Sequence, residues 1–306
     1  MIEPEQPCPL RVNTDHLASP FKHRKGPLVF AFARLGSEQY ILKKNWVNRL
    51  FYRVAGSHGL LPKMCWYQVI RRIQSLCPDR NYPLLILDAG SGSGGCGFAL
   101  RKTRPRARVV CVDMVMDRVR ECSIIQRQLK LDGVHPVLAD IRRLPFSKCF
   151  DLAYSIEVLE HIDDDVGALR SLRDALRDDG VLIVHIPRSR FESRTILPCA
   201  RKIPKVVSDI ATDHVRYEYT EQEIRAKLAD AGFAIEKFSY SQGTWGRLAF
   251  EINSLYMNHT NVRNVLAMLT YPLTTALAYL DAIVPHKTGN AFVIVAAKSG
   301  SRTVSS

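Results

Sequence analysis

The stretch from 84 to 100, LLILDAGSGSGGCGFAL, constrains the fold of this chain more than any other segment. An apolar run ends at Asp88, glycines follow at 90, 92, 94 and 95, and a helical pattern starts at Cys96. Glycines accept positive φ and let a ligand approach the backbone, while the helix N-terminus offers free N–H groups. The stretch therefore predicts a strand, a tight turn and a helix that together bind a nucleotide-like ligand.

Two classes of nucleotide ligand fit this turn. Gly90, Gly92 and Gly95 match the dinucleotide fingerprint G-x-G-x-x-G, so a nicotinamide-dependent oxidoreductase is one alternative. Asp88 favours the other class, because a carboxylate facing the ligand would repel a pyrophosphate and attract the ammonium and sulfonium groups of S-adenosylmethionine (SAM). Asp88, Gly90, Gly92 and Gly94 together resemble the first motif of the class I SAM-dependent methyltransferases. Within that family, the later E-x-x-E-H segment at 157–161 is similar to an arrangement in the ubiquinone-pathway (type 11-like) O-methyltransferases.

Two further acids follow apolar segments in chain order. The strand predicted for Arg108–Asp113 ends about twenty residues past the glycines, the spacing at which a carboxylate hydrogen-bonds ribose hydroxyls, so Asp113 is the predicted ribose ligand. A third strand, within 136–146, is predicted to end at Asp140. Asp140 alone could be a helix cap or turn residue. Its position in series with the other acids favours a ligand contact, since open α/β sheets bind ligands at the carboxyl ends of their strands.

The resemblance to methyltransferases implies a role for further residues. It implies that Asp140 contacts the adenine amino group, that Ile141 packs on the ring, and that residues after the fourth strand, within 150–161, hold the methionine part of SAM. The complete set of predicted cofactor-binding residues is Asp88, Gly90, Ser91, Gly92, Gly94, Asp113, Met114, Asp140, Ile141, Ser155 and Ile156.

The same resemblance implies an α/β fold with a Rossmann-like, mostly parallel sheet and an antiparallel last strand. We expect N-terminal helices, a helical insertion before the last strand, and a helix that ends at Asp179-Gly180. Thr220 and Glu223 predict a capping box at the start of another helix. The predicted organisation is a partly disordered segment (1–37) and one domain (38–306), divided into N-terminal helices (38–80), a core (84–240), an insertion (242–290) and a last strand (291–298).

Methyl transfer requires orientation of two substrates and, for some acceptors, removal of a proton. His161, His185 and His214 are candidate bases; His185 lies within an apolar strand, VLIVHIP, and is expected to be a hydrogen-bonded core residue, which leaves His161 and His214 as the predicted catalytic pair. Glu157, Glu160 and His161 form E-x-x-E-H at the predicted start of a helix, where they could converge on a divalent ion together with His214. Acids are also favoured in a first helical turn by the helix dipole, so SAM is the expected cofactor and a metal is not.

Composition limits the partners. The chain carries 43 Lys and Arg against 30 Asp and Glu, a formal charge of +13, which suits an acidic partner or an anionic surface. The eight cysteines lack a C-x-x-C pair and indicate reduced thiols, and the N-terminus lacks a signal-peptide pattern, so a cytoplasmic location is expected. The uncharged stretch 265–280 is interrupted by Pro272 and is too short for a bilayer span. It is expected to be an apolar cap over the acceptor, a surface in peripheral membrane contact, or an ordinary helical insertion that packs on the core.

These observations predict a transferase that methylates a hydroxyl of a small or lipid-like molecule. A metal-assisted RNA 2′-O-methyltransferase is an alternative, favoured by the positive charge and the E-x-x-E-H motif, but no RNA-binding module is evident. A non-catalytic SAM-binding protein is another, because fold and cofactor do not prove turnover. The sequence leaves the methylated atom and the oligomeric state open.

Overall fold

A computed structural model describes residues 32–43, 46–56, 60–188, 196–197, 219–257 and 263–299. Within these ranges a short 3₁₀ helix spans Ser37–Leu42. The longer helices are α1 (Trp46–Ala55), α2 (Leu60–Leu76), α3 (Gly95–Thr103), α4 (Met116–Leu129), α5 (Asp165–Ala175), α6 (Glu221–Asp230), α7 (Thr244–Met257) and α8 (Arg263–Ile283). The strands are β1 (Leu85–Ala89), β2 (Arg108–Asp113), β3 (Val134–Leu138), β4 (Phe150–Ile156), β5 (Leu176–Pro187), β6 (Phe233–Ser241) and β7 (Ala291–Lys298).

The described strands form one seven-stranded sheet in the order β3-β2-β1-β4-β5-β7-β6. The pairs from β3 to β5 are parallel, and β7 is inserted antiparallel between β5 and β6. The strand order reverses between β1 and β4, and ligands bind open sheets at the carboxyl ends of the strands beside such a reversal. The predicted fold class, with its antiparallel last strand, is confirmed.

The core lies on both faces of this sheet. Alternate residues of β1 belong to different clusters: Leu84 and Ile86 pack on one face, and Leu87 and Ala89 on the other. Central strands covered by helices on both sides are apolar without alternation, which is why the sequence before the glycines reads as an unbroken apolar run.

The N-terminal helices and the insertion pack against each other. Phe32 is fully buried and its ring lies 5.5 Å from that of Tyr67 in α2 and 5.7 Å from that of Tyr279 in α8. Lys63 Nζ in α2 donates to Ala33 O and to the hydroxyl of Tyr271, each at 2.6 Å. We call α1, α2, α7 and α8 the helical cap. Burial lowers the pKa of Lys63 to about 7.

Some predicted boundaries are wrong for identifiable reasons. The helix expected up to Asp179-Gly180 ends at Ala175, because Leu176 already pairs with Phe150 as the first residue of β5. Pro272 was expected to interrupt its segment, yet α8 continues through it from Arg263 to Ile283. The helical segment expected from residue 38 onward begins with the 3₁₀ turn and only then continues as α1.

No helix among the described residues is both long enough and apolar enough to cross a membrane. Residues 1–31 of the segment predicted to be disordered lie outside the described residues.

The capping box predicted at the start of α6 is present and can be tested by unfolding. Glu223 N–H donates to Thr220 Oγ1 at 3.2 Å, and the Glu223 carboxylate accepts from Thr220 N–H at 2.8 Å. Thr220→Ala removes one half of this exchange, so we expect a loss of about 1 kcal/mol in the free energy of unfolding in urea. Glu223→Gln keeps an acceptor at that position and is the matched control; an equal loss in both variants would contradict the capping role.

Candidate active site

The glycine turn after β1 is built by backbone conformations that side chains resist. Gly90, Gly92 and Gly94 have φ of 79°, 53° and 81°, all in the left-handed region. The N–H groups of Gly90 and Ser91 both donate to Val112 O at 2.9 Å, which joins the turn to the end of β2. The turn is therefore held against the neighbouring strand, and α3 begins directly behind it.

The space around the glycines differs from one to the next. A β-carbon at Gly90 would lie 2.4 Å from Val158, one at Gly94 would lie 2.6 Å from Cys122 Sγ, and one at Gly95 would lie 2.4 Å from Trp66. At Gly92, no atom of the described residues lies within 4 Å of that position. The glycines at 90, 94 and 95 thus serve internal packing, and Gly92 presents bare backbone to an open space.

Asp113 is the predicted ribose ligand, and the structure gives it contacts of its own. Its Oδ2 accepts from Gly92 N–H at 2.8 Å, and its Oδ1 accepts from Val115 N–H at 2.9 Å. Each carboxylate oxygen has a second lone pair, so these bonds orient the group and leave acceptor capacity for hydroxyl donors. Met114, also predicted to bind the cofactor, is 64% exposed.

Asp88 was expected to face the ligand over the glycine turn, but its side chain is buried instead. It is 3% exposed, and its Oδ2 lies 3.9 Å from the Cys111 Sγ and close to the backbone of Gly97 in α3. Burial raises the pKa of Asp88 to about 7, a shift opposed by the Tyr154 hydroxyl and by Gly97 N–H. The physical reason for its orientation is that the first turn of α3 has N–H groups without a partner inside the helix, and the carboxylate is within reach of one of them, Gly97 N–H.

Asp140 occupies the capping position that the sequence left as an alternative. It accepts from Arg142 N–H at 2.9 Å as the N-cap of a short 3₁₀ turn (Ile141–Arg143), and it pairs with the Arg142 guanidinium at 2.7 Å. These hydrogen bonds hold the pKa of its carboxyl below the ordinary range. Ile141 is 5% exposed within the core, and a contact of either residue with adenine remains a prediction.

Ser155 and Ile156 end β4, beside the end of β1. Ser155 pairs with Ala89 and is 1% exposed, and its hydroxyl has no hydrogen-bond partner among the described residues. Ile156 is half-buried and pairs with His185 of β5. An unpartnered hydroxyl at this edge is consistent with the predicted contact to the methionine part of SAM.

The E-x-x-E-H segment is not the helical turn that was expected. Glu157 has a φ of 54°, and only Leu159–His161 form a 3₁₀ turn, so the three side chains do not share one helix face. Glu160 is 1% exposed, and burial, with the nearby Glu157 charge, raises its pKa well above the ordinary range. His161 is half-buried at the end of the turn, and His214 lies outside the described residues.

A different polar cluster lies at the carboxyl ends of β4 and β5. His185 Nδ1 lies 2.8 Å from Glu157 Oε1, and His185 Nε2 lies 2.9 Å from Ser241 Oγ, so the expected hydrogen-bonded core histidine is confirmed. Cys65 of α2 completes the cluster: ligand atoms of Cys65, Glu157 and His185 all lie within 4.8 Å of one another. Burial raises the pKa of the Cys65 thiol, and the Glu157 charge adds to this.

The sequence offered one sign of this cluster, the histidine inside an apolar strand, and no sign of Cys65. The helix α2 that carries Cys65 also places Trp66 against Gly95, so it touches both the glycine turn and the cluster. The glycine turn and the polar cluster are thereby brought to the same edge of the sheet.

Comparisons with known proteins agree with this arrangement. Residues 83–233 match the family described as "Methyltransferase domain". A malonyl-[acyl-carrier protein] O-methyltransferase of Methylovorus sp. (strain MP688) is 28% identical over 155 residues, 48% of this chain and 51% of the relative. An uncharacterized 37.1 kDa protein in transposon TN4556 of Streptomyces fradiae is 30% identical over 249 residues, 70% of this chain and 71% of the relative.

The sheet is also similar to solved structures. A putative sarcosine dimethylglycine methyltransferase from Galdieria sulphuraria superposes with a TM-score of 0.54 at 13% identity, over 83% of this chain and 97% of that chain. At this identity the likeness shows the fold alone. The chain spans about half the length of two of the O-methyltransferase relatives, 51% and 55%.

The buried Asp88 carboxyl should make the free energy of unfolding depend on pH. An ordinary aspartate titrates near about 4, whereas burial raises the pKa of Asp88 to about 7 in the folded chain. The folded state therefore holds more protons between these values, and Asp88 makes the free energy of unfolding fall as the pH rises from about 4 to about 7. Asp88→Asn should lack this part of the pH dependence in urea unfolding. Asp117→Asn, at an exposed helical position, is the control, and parallel pH curves for wild type and Asp88→Asn would contradict the prediction.

Alanine substitutions at two glycines of the turn should affect SAM affinity and the free energy of unfolding to different extents. Gly92→Ala directs a methyl group into open space, so we expect SAM affinity to fall roughly tenfold, about 1.4 kcal/mol, in calorimetric titration. Gly94→Ala forces the same left-handed backbone and also meets Cys122, so we expect the larger loss of unfolding free energy there. Equal SAM affinity in wild type and Gly92→Ala would show that the cofactor does not cross this glycine.

Proposed function

Because the chain belongs to the class I SAM-dependent methyltransferase family, we propose that it transfers a methyl group to an oxygen atom, a hydroxyl of a small or lipid-like molecule. The observation that carries the proposal is the glycine turn, where Gly92 leaves open backbone directly beside the oriented Asp113 carboxylate. SAM supplies a methyl group already activated by its sulfonium.

The residues of the turn fit this cofactor. Asp113 accepts hydrogen bonds from the ribose hydroxyls, since its backbone contacts hold it in place at the carboxyl end of β2. The backbone around Ser91 and Gly92 approaches the nucleoside closely, because the bare glycine leaves room. Ser155 and Ile156 hold the methionine end at the tip of β4, where the Ser155 hydroxyl gains the partner that the described residues do not supply.

The acceptor lies beyond that methionine end, at the tips of β4 and β5. In-line methyl transfer needs the acceptor held in line with the sulfonium and water kept away. The half-buried His161 is the candidate proton acceptor. The Glu157–His185 pair provides polar groups in the same region, and the Glu157 side chain is 27% exposed. Oxygen acceptors are also supported by the relatives whose name is malonyl-[acyl-carrier protein] O-methyltransferase.

A lipid-like acceptor is supported by the helical cap. Its outer surface carries apolar side chains in both α7 and α8: Trp245 is 40% exposed, Phe250 39%, Leu269 72% and Leu273 55%. Together with the charge of +13, such a surface suits peripheral contact with an anionic membrane by a cytoplasmic protein.

The structure of the E-x-x-E-H segment does not support the RNA 2′-O-methyltransferase alternative. Its motif-based argument required Glu157, Glu160 and His161 on one helical turn, and this geometry is absent from the described residues. An oxidoreductase is disfavoured by the family to which residues 83–233 belong.

The function can be tested by following the methyl group. We expect micromolar binding of SAM and S-adenosylhomocysteine and none of NAD(H) in calorimetry. With methyl-labelled SAM, label should pass to members of a panel that contain a hydroxyl or carboxyl group, including long-chain alcohols and malonyl thioesters of acyl carrier protein. Amines and structured RNA serve as comparison acceptors. Transfer to these alone would reject the proposed oxygen acceptor, and NAD(H) binding in place of SAM would reject the cofactor.

A further inference from the structure

Three metal-ligating side chains from separate parts of the chain converge at the tips of β4 and β5. Cys65 comes from α2, Glu157 follows β4, and His185 lies in β5, with ligand atoms of all three within 4.8 Å of one another. Cys65 and His185 are each 1% exposed, whereas the Glu157 side chain is 27% exposed. Solvent and ligands can therefore reach the cluster at Glu157, whereas Cys65 and His185 are enclosed by protein.

The surroundings of the cluster match the support that metal ligands receive. A ligating histidine usually binds the metal through one ring nitrogen and donates from the other to a fixed acceptor. Here Ser241 Oγ lies 2.9 Å from His185 Nε2, which leaves Nδ1 turned toward Glu157 and Cys65. The Gln242 side-chain amide donates to Cys65 Sγ at 3.8 Å.

The backbone is strained on both sides of the cluster. Glu157 and Gln242 have φ of 54° and 56°, and they are two of four non-glycine residues with positive φ in the described part of the chain. Such conformations are unfavourable for a residue with a side chain and persist only where the surrounding structure holds them. Both residues aim their side chains into this cluster, at His185 and at Cys65.

Within the described ranges, no lysine or arginine pairs with the acids of the cluster. Glu157 and the buried Glu160 are electrostatic neighbours, and the Glu160 Oε2 is buried without a hydrogen-bond partner among the described residues. Neither carboxyl group forms an ion pair with a lysine or arginine within the described ranges. Two carboxyl groups and a thiol around a single imidazole are the surroundings in which a divalent cation is stabilised.

We propose that Cys65, Glu157 and His185 form a zinc-binding site with one open coordination position. Thiolate, imidazole and carboxylate donors together suit Zn²⁺ better than Mg²⁺ or Ca²⁺, which prefer oxygen ligands alone. Three protein ligands and an open fourth position are the pattern of catalytic zinc sites. This set differs from the E-x-x-E-H set suggested by the sequence, because it uses only Glu157 of that motif.

Binding requires small, balanced changes in the cluster. Tetrahedral zinc ligands lie roughly 3.3 Å or more apart, so Glu157 must move slightly away from the Nδ1 atom, 2.8 Å from it in the hydrogen bond. The imidazole proton moves from Nδ1 to Nε2, the Nε2–H group donates a hydrogen bond to Ser241 Oγ, and the Cys65 thiol releases its proton to solvent.

The open position gives the site a consequence for the reaction. An acceptor hydroxyl bound there would lose its proton more readily and would be held beside the methionine end of the cofactor. This consequence rests on the proposed O-methyl transfer, whereas zinc binding itself does not.

The experiment uses the full chain, stripped of metals with a chelator and titrated with Zn²⁺ against a chromogenic indicator. Co²⁺ is the second probe, since a cobalt–thiolate bond gives an ultraviolet charge-transfer absorption. We expect one Zn²⁺ per chain, a thiolate band with Co²⁺, and loss of that band in Cys65→Ser. Ser241→Ala should weaken zinc binding roughly 10–100-fold, and Glu157→Gln and His185→Gln at least as much.

Cys77→Ser is the matched control, because Cys77 is equally buried just after α2 and lies outside the cluster. It should bind Zn²⁺ as the wild type does, and circular dichroism establishes that each variant is folded. Failure of the wild type to bind Zn²⁺, a Co²⁺ complex without a thiolate band, or an unchanged band in Cys65→Ser would each overturn the proposal. Zinc binding without methyl transfer to any oxygen acceptor would support the site and reject the proposed function instead.

Discussion

The hydrogen bonds between the glycine turn and the end of β2 are the contacts on which the rest of the site depends. Val112 O accepts two N–H groups of the turn, and the carboxylate of the next residue, Asp113, accepts from Gly92 and Val115. The same side chain that is predicted to meet the ribose therefore also shapes the backbone beneath it. Because these bonds join neighbouring strands, the site is preorganised by the sheet and not by a mobile loop.

The helical cap joins this site to the polar cluster at the tips of β4 and β5. Its helix α2 packs Trp66 against Gly95 and presents Cys65 to Glu157 and His185. Lys63 of the same helix is buried between Ala33 and Tyr271, so the N-terminal segment and the insertion are tied to α2 by hydrogen bonds in an otherwise apolar contact. A buried lysine without these acceptors would be costly, which makes the packing of the cap specific.

The polar cluster shows how tertiary structure changes the meaning of a motif. Read as a helix, E-x-x-E-H places three ligands on one turn. In the folded chain, the left-handed backbone at Glu157 sends that side chain to His185, while Glu160 turns into the core. The partner of Glu157 is thus 28 residues away in sequence, on the neighbouring strand.

The sequence by itself determined the order of the strands, the glycine turn, the end of β2 at Asp113, and the capping box at Thr220. These features follow from local rules, since positive φ, strand periodicity and caps depend on residues within a few positions of each other. Tertiary structure alone decided that Asp88 is buried against the first turn of α3 and that Cys65 meets His185. Side-chain direction and burial depend on which distant element packs alongside, and no local pattern encodes the contact of α2 with the tips of β4 and β5.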